Sequence, residues 1–412
     1  MNLIIRENFF FFLFFFLPIS IIIGPTVSLI NIIVLTLFFL IFFVFQKKID
    51  FISHISIKLI LILYLYLIFN SFISQNYEIG LLRNLGFIRL IILFIFINYF
   101  FFYYNNEKKL FDLWSLIILA LLIDVFVEYF FGTNLLGWGA PDQPYGYRIT
   151  SFFKNEPIVG AYLAGFVFLI FGHFLTDNKK AFAFLFLLVV FLAIIFTGER
   201  SNTIKVFLGI IIYFFFIDFF KIKTKLIIIL IFFTTFGVLL SQSQYLKLRY
   251  ISQFYNVLTN KKNFQNLEKN QYIRLYKSGY SVFKNYPLFG VGNKNYRVEV
   301  CKKKNNSQLK SDYVCLTHPH QVYFELLSEH GIIGFILILS IFFFLMFKIL
   351  KSILMSRNYI QIGAFTFVVI NFIPFLPGGS FFSDFNITLF WINFSIMFAC
   401  SKKTNIFAKN HI

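Results

Sequence analysis

Long unbroken apolar runs, separated by short polar connections, set the pattern of this chain. They fall near residues 8–23, 25–45, 57–74, 86–104, 110–131, 157–176, 180–197, 203–220, 224–241, 321–347, 359–376 and 381–400. Runs of about 18 to 20 residues are enough to cross a hydrocarbon core of ~30 Å. Backbone groups in lipid must be bonded within the protein, so such spans are helices or a closed barrel. The runs are continuous rather than alternating, which selects helices. The expectation is an all-α, polytopic membrane protein of about twelve helices, with one large polar loop. It divides into transmembrane helices over 1–241, a partly helical loop over 242–320, and further helices with a tail over 321–412. The opening run resembles a signal peptide, but no small-residue cleavage site follows it, so it reads as an uncleaved span.

Charge then orients the bundle. Alternate short connections carry Lys47, Lys48 and Lys58; Lys108 and Lys109; Lys179 and Lys180; Lys221, Lys223 and Lys225; Lys348, Lys351 and Arg357. Arg6 precedes the first run, and Lys402, Lys403 and Lys409 follow the last. All fall on one side if the spans are right, so the positive-inside rule predicts cytoplasmic termini. The other side receives 132–156 with Arg148, the turn Thr197-Gly198-Glu199-Arg200-Ser201, the long loop, and Pro374-Phe375-Leu376-Pro377-Gly378-Gly379-Ser380. The formal net charge of +19 comes largely from the long loop, where lysines and arginines far outnumber Glu268, Glu299 and Asp312. On a non-cytoplasmic face an anionic lipid headgroup or lipid diphosphate is the fitting partner, and nucleic acid is not. A solubilising loop in a Lys-rich chain is the plainer explanation. The 66 phenylalanines accompany abundant Ile, Asn and Lys, and read as composition rather than as a site.

Candidate chemistry gathers at Cys315-Leu316-Thr317-His318-Pro319-His320-Gln321, where the polar loop meets an apolar run. Pro319 suits the first turn of a helix, with Thr317 or His318 as its cap. Helix polarity there would keep His320 neutral at pH 7 and able to accept a proton. Gln321, Glu325 and Glu329 share a helix face, and at membrane depth the two acids call for positive partners. The helix from Pro319 to Leu350 would be about 48 Å long, more than one bilayer core, and Gly331 or Gly334 would let it bend. Arg200 and Arg148 lie near the membrane surface and Arg89 lies within a run; arginine's planar fork suits phosphate oxygens. Cys301 and Cys315 flank a short stretch of the loop, where an oxidising compartment permits a disulfide; two free thiols are the alternative. No metal-ligand spacing, nucleotide loop or nucleophile elbow occurs, so no metal or cofactor is expected.

Three segments together resemble the O-antigen ligase and polymerase family of bacterial inner-membrane glycosyltransferases. They are Thr197-Gly198-Glu199-Arg200-Ser201; Arg274 followed by Pro287-Leu288-Phe289-Gly290-Val291-Gly292 and Asn295-Tyr296; and His320-Gln321 with Glu329-His330-Gly331-Ile332-Ile333-Gly334. Gln321 stands where the family usually has Asn, and His318 is an extra histidine. The resemblance implies metal-independent transfer of a glycan from undecaprenyl diphosphate to a hydroxyl of lipid A-core, or to a growing glycan, on the periplasmic face of the inner membrane. It implies that Arg200 and Arg274, with Arg148 and Arg89 as further candidates, bind the diphosphate. His320 would be the base, supported by His318, Gln321, Glu325, Glu329, Gly290 and Gly292. Ligase is the leading reading and polymerase the alternative; a transporter or flippase for an anionic lipid or solute is a more distant one.

Overall fold

The computed structural model describes residues 3–44, 50–139, 148–252, 270–302, 312–356 and 358–408. Lys47, Lys48, Lys261, Lys262, Glu268, Lys269, Lys303, Lys304, Lys310, Arg357 and Lys409 lie outside the described residues, as does the side chain of Arg6. The principal helices are α1 (Leu3–Phe15), α2 (Leu17–Ile23), α3 (Pro25–Val44), α4 (Ile55–Phe72), α5 (Tyr77–Leu85), α6 (Ile88–Tyr103), α7 (Glu107–Phe131), α8 (Val159–Thr176), α9 (Lys180–Phe196), α10 (Arg200–Phe216), α11 (Ile222–Gln242), α12 (Gln271–Asn285), α13 (Tyr296–Val300), α14 (Val322–Ser356), α15 (Tyr359–Ile370) and α16 (Asp384–Ala399). There are no strands among the described residues. Each apolar run coincides with one of these helices or a pair of them. Among the described residues seven helical spans, α5 and α6 counted as one, are long and apolar enough to cross a membrane by length and composition. Others are shorter than the runs suggest: α15 stops at Ile370, ahead of Pro374 and Pro377, which cannot extend it.

Helix α8 forms the centre of the bundle and is buried along nearly its whole length. Small residues let its neighbours approach, as in many membrane bundles. Gly172 lies against the backbone of Tyr359, Gly363 against the carbonyl of Phe168, and Gly209 against the Phe168 ring. In contrast α11 is almost entirely unburied within the chain. Helices α2 and α3 turn back on each other at Gly24, where φ is 142°, and the Asn31 amide donates to the Leu13 carbonyl at 3.2 Å.

Connections gather at two opposite ends. At one end, Asn358 donates to the Cys400 carbonyl at 2.9 Å, Asn405 to the Asn98 carbonyl at 2.9 Å, and Gln361 to the Met397 carbonyl at 2.8 Å. His173 meets Asp112 at 2.8 Å, and Lys108 pairs with Asp177 at 3.0 Å. The other end brings together the 73–88, 132–139, 148–158, 197–199, 286–295, 312–321 and 371–383 segments. Two buried acids of α7 hold one of them: Asp124 accepts from the Leu135 N–H at 2.8 Å, and Glu128 from the Thr150 N–H at 3.1 Å. Cys301 and Cys315, whose Cα atoms are 4.7 Å apart, are joined by a disulfide.

Candidate active site

The site is built on a break in α14. Gly331 has φ 63° and ψ −169°, so the helix is interrupted there and restarts. The Pro287–Gly292 turn fills the break. The Ser328 and Glu329 carbonyls accept from the N–H groups of Val291 and Gly292 at 3.0 and 2.9 Å, and the Ile332 and Ile333 N–H groups donate to the carbonyls of Pro287 and Leu288 at 2.8 and 3.2 Å. A helix break inside the bundle would otherwise strand these groups. The approach is backbone on backbone: a Cβ on Gly290 would collide with Glu329 and His330, and one on Gly331 with Leu288 and Phe289. Asn70 of α4 clamps the junction, accepting from the Asn293 N–H at 2.9 Å and donating to the Phe289 carbonyl at 3.1 Å. Gly290, Gly292 and Glu329 thus act together as architecture.

The histidine turn differs from the expected cap. Helix α14 begins at Val322, and Gln321 Oε1 accepts from the Tyr323 and Phe324 N–H groups at 2.8 and 3.1 Å. Gln321 is therefore the helix cap, in place of Thr317 or His318. Pro319 lies outside the helix, packed on Gly279. His320 adopts φ 58°, left-handed and ahead of the first turn, and its carbonyl accepts from the Gly378 N–H at 2.8 Å. Its imidazole is held below the ordinary histidine value chiefly by burial, opposed by the Gly378 backbone and Glu325. The His318 ring lies 4.0 Å from that of His320. His318 Nδ1 meets Thr317 Oγ1 at 2.9 Å, while its Nε2 is buried without a protein partner. Burial, His320 and Lys294 push His318 down to about 3. Both imidazoles are neutral at pH 7 and able to accept a proton.

A cavity of about 1010 Å³ opens beside this turn. Thr317, His318, Lys294 and Arg297 line one wall, and Gly378, Gly379 and Ser380 lie along it. Glu199, Asn202 and Lys205 contribute from the α10 side, and Arg83 and Asp384 from elsewhere at this end. Ala161, Ala164, Phe367 and Leu389 carry the lining into the apolar helices. Glu325 ties the parts together from full burial: its carboxylate accepts from the Ser380 hydroxyl and, at 2.9 Å, from the Phe381 N–H. The nearest cation to it is Lys294, at 3.9 Å, so the positive partner that the sequence calls for is a lysine.

The predicted arginines part company. Arg200 opens α10, next to Glu199, whose carboxylate accepts from the Gly160 N–H at 2.7 Å and from Asn202 at 2.6 Å. Burial pushes the Glu199 carboxyl up to about 7, with the Gly160 N–H, Asn202 and nearby Arg148 opposing. Arg148 and Arg200 lie close enough to Arg249 for both to depress its guanidinium, after burial. Arg249 itself is buried, donates to the Gly198 carbonyl at 3.1 Å, and keeps its Nε without a protein partner. Arg274 is exposed on α12 and is not part of the cavity lining. Arg89 is committed elsewhere: it pairs with Asp384 at 2.8 Å, and Arg83 takes the other oxygen of that carboxylate at 2.6 Å.

Sequence reasoning missed Arg249, Lys294, Lys205, Arg83 and Asp384 as site residues. All but Lys205 are drawn in by contacts far apart in the chain, and Lys294 carries one further signal, an N-K-N run after Gly-x-Gly that invites a left-handed residue. Its φ is 62°. For metal ligation, one group among the described residues, Asp112, His173 and Asp177, places three ligand atoms within 4.8 Å of one another. It lies at the opposite end, where Lys108 and Lys179 already neutralise Asp177.

Residues 164–339 match the family model described as O-antigen ligase. That stretch includes the Arg200 turn, the Pro287–Gly292 turn, the histidines and the α14 break. No curated protein matches the chain significantly.

Proposed function

We propose, from a chain that carries an O-antigen ligase family domain over residues 164–339, that the protein transfers a glycan from undecaprenyl diphosphate to a hydroxyl of lipid A-core. The cavity end faces the periplasm from the inner membrane, and both termini are cytoplasmic. One observation carries the reading: a single cavity joins a neutral histidine turn, a surplus of cations and an apolar floor. Those three features match an acceptor hydroxyl, a diphosphate and a lipid chain.

In the proposed step the acceptor oxygen attacks the anomeric carbon. Its proton passes to imidazole, and the carbon–oxygen bond to the diphosphate breaks, with the electron pair leaving on the phosphate oxygen. The donor is already activated, so the step calls for no metal or nucleotide. Arg200, backed by Arg148 and Arg249, stabilises the charge that develops on the leaving group, and such preorganised electrostatics usually dominate catalysis. Arg274 stands at the exposed rim, where it meets the incoming headgroup. Arg89, held by Asp384, shapes the site rather than binding the donor. His320 is the base by its place in the family motif. A second reading, favoured by the buried and unpartnered His318 Nε2 on the cavity wall, makes His318 the group that meets the hydroxyl.

Reconstituted transfer tests the mechanism: His320→Ala and Arg200→Ala slow it by orders of magnitude, and normal transfer by both variants overturns it. A deletion strain tests ligase against polymerase. Loss of all O-antigen from lipopolysaccharide means ligase, whereas core bearing a single repeat unit means polymerase.

A further inference from the structure

Lys294 is a cation on the histidine side of the cavity whose charge is only partly consumed. Its side chain is 11% exposed and Nζ lies 3.9 Å from Glu325 Oε1. That carboxylate is already engaged by the Ser380 hydroxyl and the Phe381 N–H. Lys294 itself donates to Ser380 Oγ. An ammonium has three donors, so beyond this bond and the long ion pair Lys294 keeps donor capacity at the cavity, which it lines. The backbone supports the same view. Lys294 sits in the left-handed region, where Gly or Asn is the ordinary choice, and strained positions of this kind cluster at ligand clamps.

Its placement says which substrate it serves. In a direct displacement the attacking hydroxyl and its base arrive opposite the leaving diphosphate. Lys294 shares its wall with His318 and binds Ser380, two residues beyond the Gly378 that His320 holds. The arginine group of Arg148, Arg200 and Arg249 comes from other elements. We infer that Lys294 binds an anionic group, phosphate or carboxylate, on the acceptor beside its reacting hydroxyl, and so sets acceptor specificity. Arg297, on the same wall, is the second contact. This inference rests on the transferase reading above.

The test uses the full chain in lipid nanodiscs, with an undecaprenyl-diphosphate-linked glycan as donor. Lipid A-core is offered in three forms: intact, stripped of phosphate, and with its carboxylates reduced. The wild type is expected to show a KM at least 10-fold higher for one stripped form, which identifies the anion. Lys294→Met is expected to raise KM for intact acceptor about 10-fold and to erase the difference between forms, with donor KM held. Lys294→Arg, which keeps the charge but changes its reach, is expected to narrow the difference, and it carries the test if the Met variant does not fold. The inference is overturned if the wild type treats all three acceptors alike, if donor KM is what moves, or if both variants keep the wild-type ratio between forms. Absence of transfer by the wild type to every form of lipid A-core would instead overturn the ligase reading on which the inference rests.

Discussion

The two ends of the bundle are built from the same apolar helices and use their polar groups in opposite ways. At the Asp112–His173 end, polar groups pair with one another across helices, and Asp177 is shared by Lys108 and Lys179. At the cavity end, cations outnumber the acids that could neutralise them. Arg249 keeps a buried Nε without a partner, His318 keeps a buried Nε2, and the ion pair of Lys294 is long. Unpaired buried polar groups are expensive. On the proposed function a charged ligand completes the pairing at the cavity end, whereas the charged groups of the other, closed end pair with one another.

The contrast breaks most visibly at the base. Loss of a general base typically slows a reaction 10²–10⁴-fold, so His320→Ala is expected to slow transfer by about 10³-fold. The same assay on His318→Ala separates the two histidines: a larger loss there makes His318 the base. Arg200→Ala is expected to lose about 10²-fold, the size of one preorganised electrostatic contact. Arg249→Ala sharpens the point, because a purely structural arginine would lower melting temperature and leave kcat intact in the folded fraction, whereas an anion-site arginine lowers kcat as well.

Protonation gives an effect of intermediate size, and its sign is fixed. Both imidazoles of the turn are depressed, His318 to about 3 from an ordinary 6.5. Below pH 6.5 the unfolded chain therefore binds more protons than the folded one, and stability falls with pH. The contribution is fully present above 6.5 and is lost as pH drops toward 3. Melting temperature in nanodiscs is expected to decline between pH 6.5 and 4.5, and the decline is expected to be shallower in His318→Ala. Transfer should likewise persist below pH 6.5, because the base stays neutral there. An acid limb centred at 6.5 or above would contradict the burial of the turn.

Much of this end was legible along the chain. Unbroken apolar runs gave the helices, and Gly331 was a candidate bend because glycine alone tolerates the conformation found there. The pairing of 287–292 with 329–334 was visible only as two motifs. Their interlock is made of backbone hydrogen bonds, which leave no trace in residue type except the glycines. Charges were the least legible. Arg89 and Arg200 look alike in sequence, yet Asp384, 295 residues away from Arg89, consumes one and not the other. Gln321 read as a support for His320, and it lies at the start of a helix, where its side chain satisfies N–H groups that would otherwise be orphaned. A Gly331→Ala variant measures the interlock: a Cβ there would meet the Leu288 and Phe289 backbone, and about 2–3 kcal/mol of stability should be lost, read as a lower melting temperature.

The smallest effect is the one that holds the comparison together. Asp112→Asn at the closed end removes the carboxylate that meets His173 at 2.8 Å, with Asp112 itself 43% exposed. An exposed partner limits the value of such a pair, and an amide oxygen still accepts a hydrogen bond, so the loss should be about 1 kcal/mol or less. Asp112 has no path to the cavity, so kcat and both KM values are expected to match the wild type in the folded fraction. A change in acceptor or donor KM in this variant would mean that the closed end communicates with the site, and that its paired groups do more than hold helices together.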